Sequence, residues 1–143
     1  TVYRQTMFAE FELAMGKMTE NGEALTADAL CRKYHELNKL YFGPDMISDD
    51  QIALEWARIP HFFYNYYVFQ YATGFSAAVA IANRILKEGA PAVADYKKFL
   101  SGGCSTDPIS LLKIAGVDMS SPEPVNSALA LFGELVDEME QLV

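Results

Sequence analysis

Apolar residues recur at intervals of three or four through nearly the whole chain, and helix punctuation separates the runs. Near the start, Met7, Phe8, Phe11, Ala14, Met15 and Met18 fall on one helical stripe. This predicts a helix over residues 2–20, ended by Asn21-Gly22. Thr26 is placed to cap a second helix through Leu40, with Leu30, Leu37, Leu40 and Tyr41 as its apolar positions and Phe42-Gly43-Pro44 as its stop. Ser48 or Asp49 caps a short third helix that holds Trp56 and ends near Arg58-Ile59-Pro60. The longest helix is expected over 62–87, closed by Glu88-Gly89. Pro91 opens a fifth that reaches Leu100 and breaks at Ser101-Gly102-Gly103. Asp107-Pro108 opens a sixth that Gly116 ends, and Ser121-Pro122-Glu123-Pro124 leads into the last. Strand signals are almost absent. The pattern predicts an all-α architecture of six or seven helices around one long central helix, with residues 1–143 forming a single helical region.

Composition narrows the function more than the fold. With 51% hydrophobic and 21% charged residues, the chain has the make-up of a globular domain. Its net charge of −8 argues against nucleic acid, because phosphate binding needs clustered Lys and Arg. The most apolar run, 66–82, is interrupted by Gln70, Thr73, Gly74 and Ser76 and is short for a membrane span. Cys31 and Cys104 stand far apart without a C-x-x-C partner, as reduced thiols of a cytoplasmic protein would. The opening TVYRQTMFAEFELAM has no initiator Met and reads as a helix already under way, and the final ELVDEMEQLV is helical to its end. A piece of a longer protein is expected to look like this.

Two histidines offer chemistry. Tyr34-His35-Glu36-Leu37-Asn38-Lys39 begins like the zinc motif H-E-x-x-H, but Lys39 stands where the second histidine belongs. Arg32 and Lys39 share the helical side of His35, so the expected setting is a charged, solvent-facing surface. His61 keeps different company. In the eleven residues from His61 to Tyr71 lie four of the eight tyrosines and three of the nine phenylalanines. On a continuous helix His61, Tyr64, Tyr67 and Tyr71 share an arc of about 120°, with Phe62, Phe63, Tyr66 and Phe69 opposite. One side would pack, and the other would present a line of hydrogen-bond donors on aromatic bodies.

WARIPHFFYNYYVFQYATGFSAA resembles the C-terminal region of oligoendopeptidase F, among the thimet-oligopeptidase-type zinc metallopeptidases. TVYRQTMFAEFE, the YFGP turn after ELNKL, and FLSGGCSTDPISLLKIAGVDM are similar to further blocks of that family. The resemblance spans essentially the whole chain and implies the C-terminal part of a helical clamshell peptidase that hydrolyses short peptides. It also implies a zinc ion held by two histidines of H-E-x-x-H and a later glutamate, and that zinc-binding motif does not occur in this sequence. The metal helices are therefore expected upstream of Thr1, and this chain alone is expected to bind no catalytic zinc and cleave no peptide.

What the resemblance assigns to this chain is the substrate side. It implies that His61, with Tyr67 and Tyr71 and with Tyr64 on the same face, donates hydrogen bonds to the peptide and to the oxyanion of the tetrahedral intermediate. The pair Gln70-Tyr71 resembles Gln-Tyr of thimet oligopeptidase, although the Gly-rich stretch that follows the histidine there is absent here. Arg4, Glu10 and Glu12 fall in a family block, either as ion pairs that steady helix packing or as supports beside the metal. Arg58 is expected in a structural salt bridge. The expected partners are short peptides and the N-terminal part of the same protein. Without that part, exposed apolar surface is expected to drive self-association. The competing reading is a stand-alone helical module that binds a peptide or apolar ligand without catalysis.

Overall fold

The computed structural model describes residues 1–142. Among them are six α-helices and two 3₁₀-helices. The α-helices are α1 (Val2–Glu20), α2 (Ala27–Phe42), α3 (Phe69–Glu88), α4 (Ala90–Ser101), α5 (Pro108–Ile114) and α6 (Glu123–Glu140); the 3₁₀-helices are Asp50–Arg58 and Pro60–Phe63. The described residues form two compact units that divide after Ala72.

The caps follow the sequence closely. The Thr26 side chain accepts from Ala29 N–H at 3.2 Å, Asp49 from Ile52 N–H at 2.9 Å, and Asp107 from Ser110 N–H at 2.9 Å. Each satisfies a backbone donor that has no partner inside its helix. The third element is 3₁₀ rather than α, as short connecting turns often are.

In the first unit, Met7, Phe8 and Phe11 of α1 pack on Leu30, Tyr34 and Leu37 of α2, with Phe62 and Val68 closing the core. Phe11 meets Tyr34 edge-on at 5.1 Å and Phe62 at 5.1 Å, a preferred geometry for aromatic pairs. Tyr34, absent from the expected apolar positions, is fully buried at the centre, whereas Leu40 is 69% exposed. Burying a ring such as Phe11 contributes about 1.5–3 kcal/mol.

Tyr34 brings a hydroxyl into this core, and Glu55 answers it. Tyr34 Oη donates to Glu55 Oε2 at 2.6 Å, while Arg4 and Arg58 both donate to Glu55 Oε1. One buried carboxylate thus ties α1, α2 and the 3₁₀-helix that leads to His61. Burial alone would raise the pKa of Glu55, but the bonds from Tyr34, Arg4 and Arg58 outweigh it and hold the group below the ordinary carboxylate value. Burial first, and then the bond to Glu55, pushes the Tyr34 phenol well above its usual value.

The second unit centres on Ala77, Ile81, Ala115 and Val117. The small residues Ser76 and Ala77 are buried on α3, where they permit close approach. Arg84 donates to the Ala115 carbonyl at 2.9 Å and to Asp95 and Glu88 at 2.9 and 3.0 Å. Gly116, at φ +80°, lies under that guanidinium, where any Cβ would collide with it.

The long central helix departs from expectation. The helix predicted over 62–87 does not start at Phe62: a 3₁₀ turn ends at Phe63, the chain bends through residues 64–68, and α3 begins at Phe69. Asn65 and Tyr66 adopt positive φ values of 52° and 60°, which no right-handed helix contains. The helical period breaks there, so Phe63 and Phe69, expected to pack, are 73% and 50% exposed.

Because Glu55 titrates below its unfolded value, its contribution to stability is present above the ordinary value of 4.5 and is lost as pH falls through the lowered one. Glu55→Ala should destabilise the first unit by about 1–3 kcal/mol, since Tyr34 loses its acceptor in the core. Amide exchange over residues 27–42 should accelerate accordingly, and in Glu55→Gln it should depend less on pH below the ordinary carboxylate value than in wild type.

Candidate functional site

The bend at 64–68 builds the site. Phe62 and Val68 are both buried in the core of the first unit and anchor its two ends. Between the anchors the chain rises out of the helical path, so Tyr64 and Tyr67 meet the ring of His61 before it and Tyr71 after it. His61 lies 5.8 Å from Tyr64, 5.8 Å from Tyr67 in a stacked arrangement, and 5.5 Å from Tyr71. Tyr67 stands 6.1 Å from Tyr64 and 5.7 Å from Tyr71, both edge-on. Tyr71 Oη and His61 Nε2 are hydrogen-bonded at 3.0 Å.

All four residues singled out in the sequence therefore come together, but not as a stripe on one helix. His61 belongs to a 3₁₀ turn, Tyr64 and Tyr67 to the bend, and Tyr71 to the first turn of α3. The rings remain partly open to solvent, with Tyr67 40% and Tyr71 39% exposed. Tyr71 titrates above the ordinary phenol value, chiefly through loss of hydration, then through its hydrogen bond with Tyr67 and the neighbouring phenols Tyr67 and Tyr64. It is a neutral O–H donor throughout the physiological range. A cluster of hydrogen-bonding groups on aromatic bodies is suited to a peptide carbonyl, or to an oxygen that gains charge during reaction.

Comparison with known proteins fixes the context of this cluster. The profile of peptidase family M3 matches residues 1–131. The chain belongs to that family. Oligopeptidase PepF of Bacillus subtilis is 57% identical over 143 residues, which is 100% of this chain and 21% of the relative. Chromosomal oligoendopeptidase F of Lactococcus lactis is 43% identical over 100% of this chain and 24% of its own length. A crystal structure of oligoendopeptidase-F from Enterococcus faecium superposes with a TM-score of 0.94 at 46% identity, covering 99% of this chain and 27% of that one. The chain thus spans 21–24% of the length of these curated relatives.

Family M3 membership raises the question of metal. Among the described residues no three His, Cys, Asp or Glu side chains gather closely enough to hold an ion. His35 is half-buried rather than solvent-facing, and its Nε2 lies 3.2 Å from the Ser48 carbonyl. Cys31 and Cys104 are free thiols, and Trp56 Nε1 donates to Cys31 Sγ at 3.4 Å. The residues present do not fit the zinc that the sequence resemblance implies. The described helices include none long and apolar enough to cross a membrane.

Of the charged residues in the first family block, Arg4 and Arg58 belong to the Glu55 network, and Glu10 accepts from Tyr41 Oη at 2.7 Å. Glu12 does something the sequence did not suggest. It is buried, and its Oε1 accepts from the backbone N–H of Tyr66 at 2.7 Å. Asn65 was the available signal, because Asn enters the left-handed region far more readily than most residues.

Asn65→Gly should be accommodated with the site intact. Asn65→Val should cost about 1–3 kcal/mol, since a β-branched residue resists positive φ. Thermal unfolding of the two variants checks this; equal stability would mean that residue 65 is not left-handed in solution.

Proposed function

We propose that this chain is the C-terminal region of the catalytic domain of a cytoplasmic, zinc-dependent oligoendopeptidase, and that His61, Tyr64, Tyr67 and Tyr71 form its peptide- and oxyanion-binding wall. One observation carries the reading: in a family M3 chain, four donors drawn from three different local structures converge on one partly open cluster. The relatives it matches are named oligopeptidase and oligoendopeptidase, in keeping with short peptides as substrates.

The zinc would be held by residues outside this chain, and this chain's part is to bind and orient. Carbonyl oxygens of a bound peptide accept from the exposed phenols. When a tetrahedral intermediate forms, its oxygen carries more charge than the ground-state carbonyl, so a fixed phenol donor stabilises it more strongly than it does the substrate. Tyr71 and Tyr67 are assigned this role. In this role His61 Nε2–H donates to Tyr71 Oη, which fixes the position of the phenol and leaves its own O–H for the peptide oxygen. Alone, the chain binds no catalytic zinc and is inactive. Exposed apolar side chains on each unit, such as Ile47 at 92% in the first and Leu86 at 84% in the second, support contacts with the rest of the protein, or with another copy when that is missing.

In the full-length enzyme, Tyr71→Phe and Tyr67→Phe should each leave folding unchanged, because each removes only a hydroxyl from a partly exposed ring. The one that reaches the oxyanion should lower kcat by on the order of 10²–10³ with little change in KM. Hydrolysis of an internally quenched octapeptide measures this. Wild-type kcat and KM in both variants and in His61→Ala would remove the reading.

A further inference from the structure

Helix α1 grips the bend at two points one helical turn apart. Glu12, buried, accepts the Tyr66 N–H at 2.7 Å. Gly16 faces the other end of the same residue: a Cβ there would overlap the Tyr66 hydroxyl oxygen and come within 3.2 Å of ring atom Cζ. Positions 12 and 16 are i and i+4 on one face, so the two contacts act on a single side chain and its backbone. Tyr66 itself is a bulky residue at φ +60°, a conformation that persists only when its surroundings enforce it.

We infer that Glu12 and Gly16 are positioning residues for the His61–Tyr64–Tyr67–Tyr71 cluster and act through Tyr66. This rests on the proposed role of the cluster. Tyr66 lies between Asn65 and Tyr67, and its left-handed turn sets the path by which Tyr64 and Tyr67 both return to His61. Without the Glu12 acceptor, the Tyr66 N–H is freed and the chain relaxes toward ordinary φ. A Cβ at Gly16 meets the far end of the Tyr66 side chain, so the ring swings off α1 and no longer braces the left-handed backbone from that side. Either change moves Tyr64 and Tyr67 relative to His61 and Tyr71, although neither residue is part of the cluster.

The test uses the full-length enzyme, with melting temperature, kcat and KM for an internally quenched octapeptide, and anisotropy of a labelled octapeptide on chelator-treated enzyme. Glu12→Ala should lower kcat per folded enzyme by on the order of tenfold or more, as misplaced catalytic groups do, and should weaken peptide binding; Gly16→Ala should do both to a smaller extent, because it displaces only the Tyr66 ring. Glu12→Gln should recover most of the loss, because the amide oxygen still accepts, although a neutral acceptor makes a bond about half as strong. Gly16→Ala favours the helix itself, so its defect must come from Tyr66. Gly16→Ala combined with Tyr66→Phe should therefore recover, since the nearest atom moves back to Cζ at 3.2 Å. Tyr71→Phe serves as the reference. If it is impaired while Glu12→Ala and Gly16→Ala keep wild-type kcat and peptide affinity, the inference is overturned and the role of the cluster stands. A lowered melting temperature with kcat per folded enzyme unchanged also overturns it. If Tyr71→Phe, Tyr67→Phe and His61→Ala are all unimpaired, the role of the cluster is what fails.

Discussion

The hydrogen bond from Tyr66 N–H to Glu12 holds the site in its observed form. A backbone donor in a bend has no helical carbonyl to meet, and leaving it unpaired beside a packed core is costly. A buried carboxylate on α1 supplies the missing acceptor and stabilises two successive left-handed residues. Everything specific to the aromatic cluster follows from that reversal, because it returns Tyr64 and Tyr67 to the ring of His61.

The bend is held because its ends are fixed. Phe62 and Val68 sit in the same apolar core as Phe8, Phe11 and Tyr34, so the five residues between them have little freedom to shift register. The core in turn depends on Glu55. Its carboxylate satisfies the one polar atom that Tyr34 brings inside and recruits Arg4 and Arg58 from either side. Two carboxylates thus share the work: Glu55 sets the helices that approach the site, and Glu12 sets the bend that forms it. The aromatic residues then stand on a turn and a bend anchored at both ends in the core, with their rings partly open to solvent, as the proposed peptide-binding wall requires.

Much of the fold was legible in the sequence because it rests on local chemistry. Thr26, Asp49 and Asp107 cap where their side chains allow, and the stripe Met7–Phe8–Phe11 faces the core as its spacing predicts. The family was legible too, in the block around His61. The bend was not. From 62 to 87 the apolar spacing fits an uninterrupted helix, and periodicity contains no term for a carboxylate fifty-four residues away. His61, Tyr64, Tyr67 and Tyr71 share one face only on a helix that does not exist at that point. They converge nonetheless, since a tight reversal and a helical face can both bring residues three apart into contact. The same helical pattern puts Tyr66 on the packing side, and its neighbours Glu12 and Gly16 carry no signal beyond an ordinary helix pattern.

The most direct test is site-resolved hydrogen exchange of the Tyr66 amide. A left-handed bend tied to α1 predicts a Tyr66 N–H protected well beyond those of Asn65 and Tyr67, with the protection lost in Glu12→Ala while α1 and α2 remain protected. If Tyr66 exchanges as fast as its neighbours in wild type, or if protection runs unbroken from residue 62 into α3 as in a continuous helix, the bend does not organise the site.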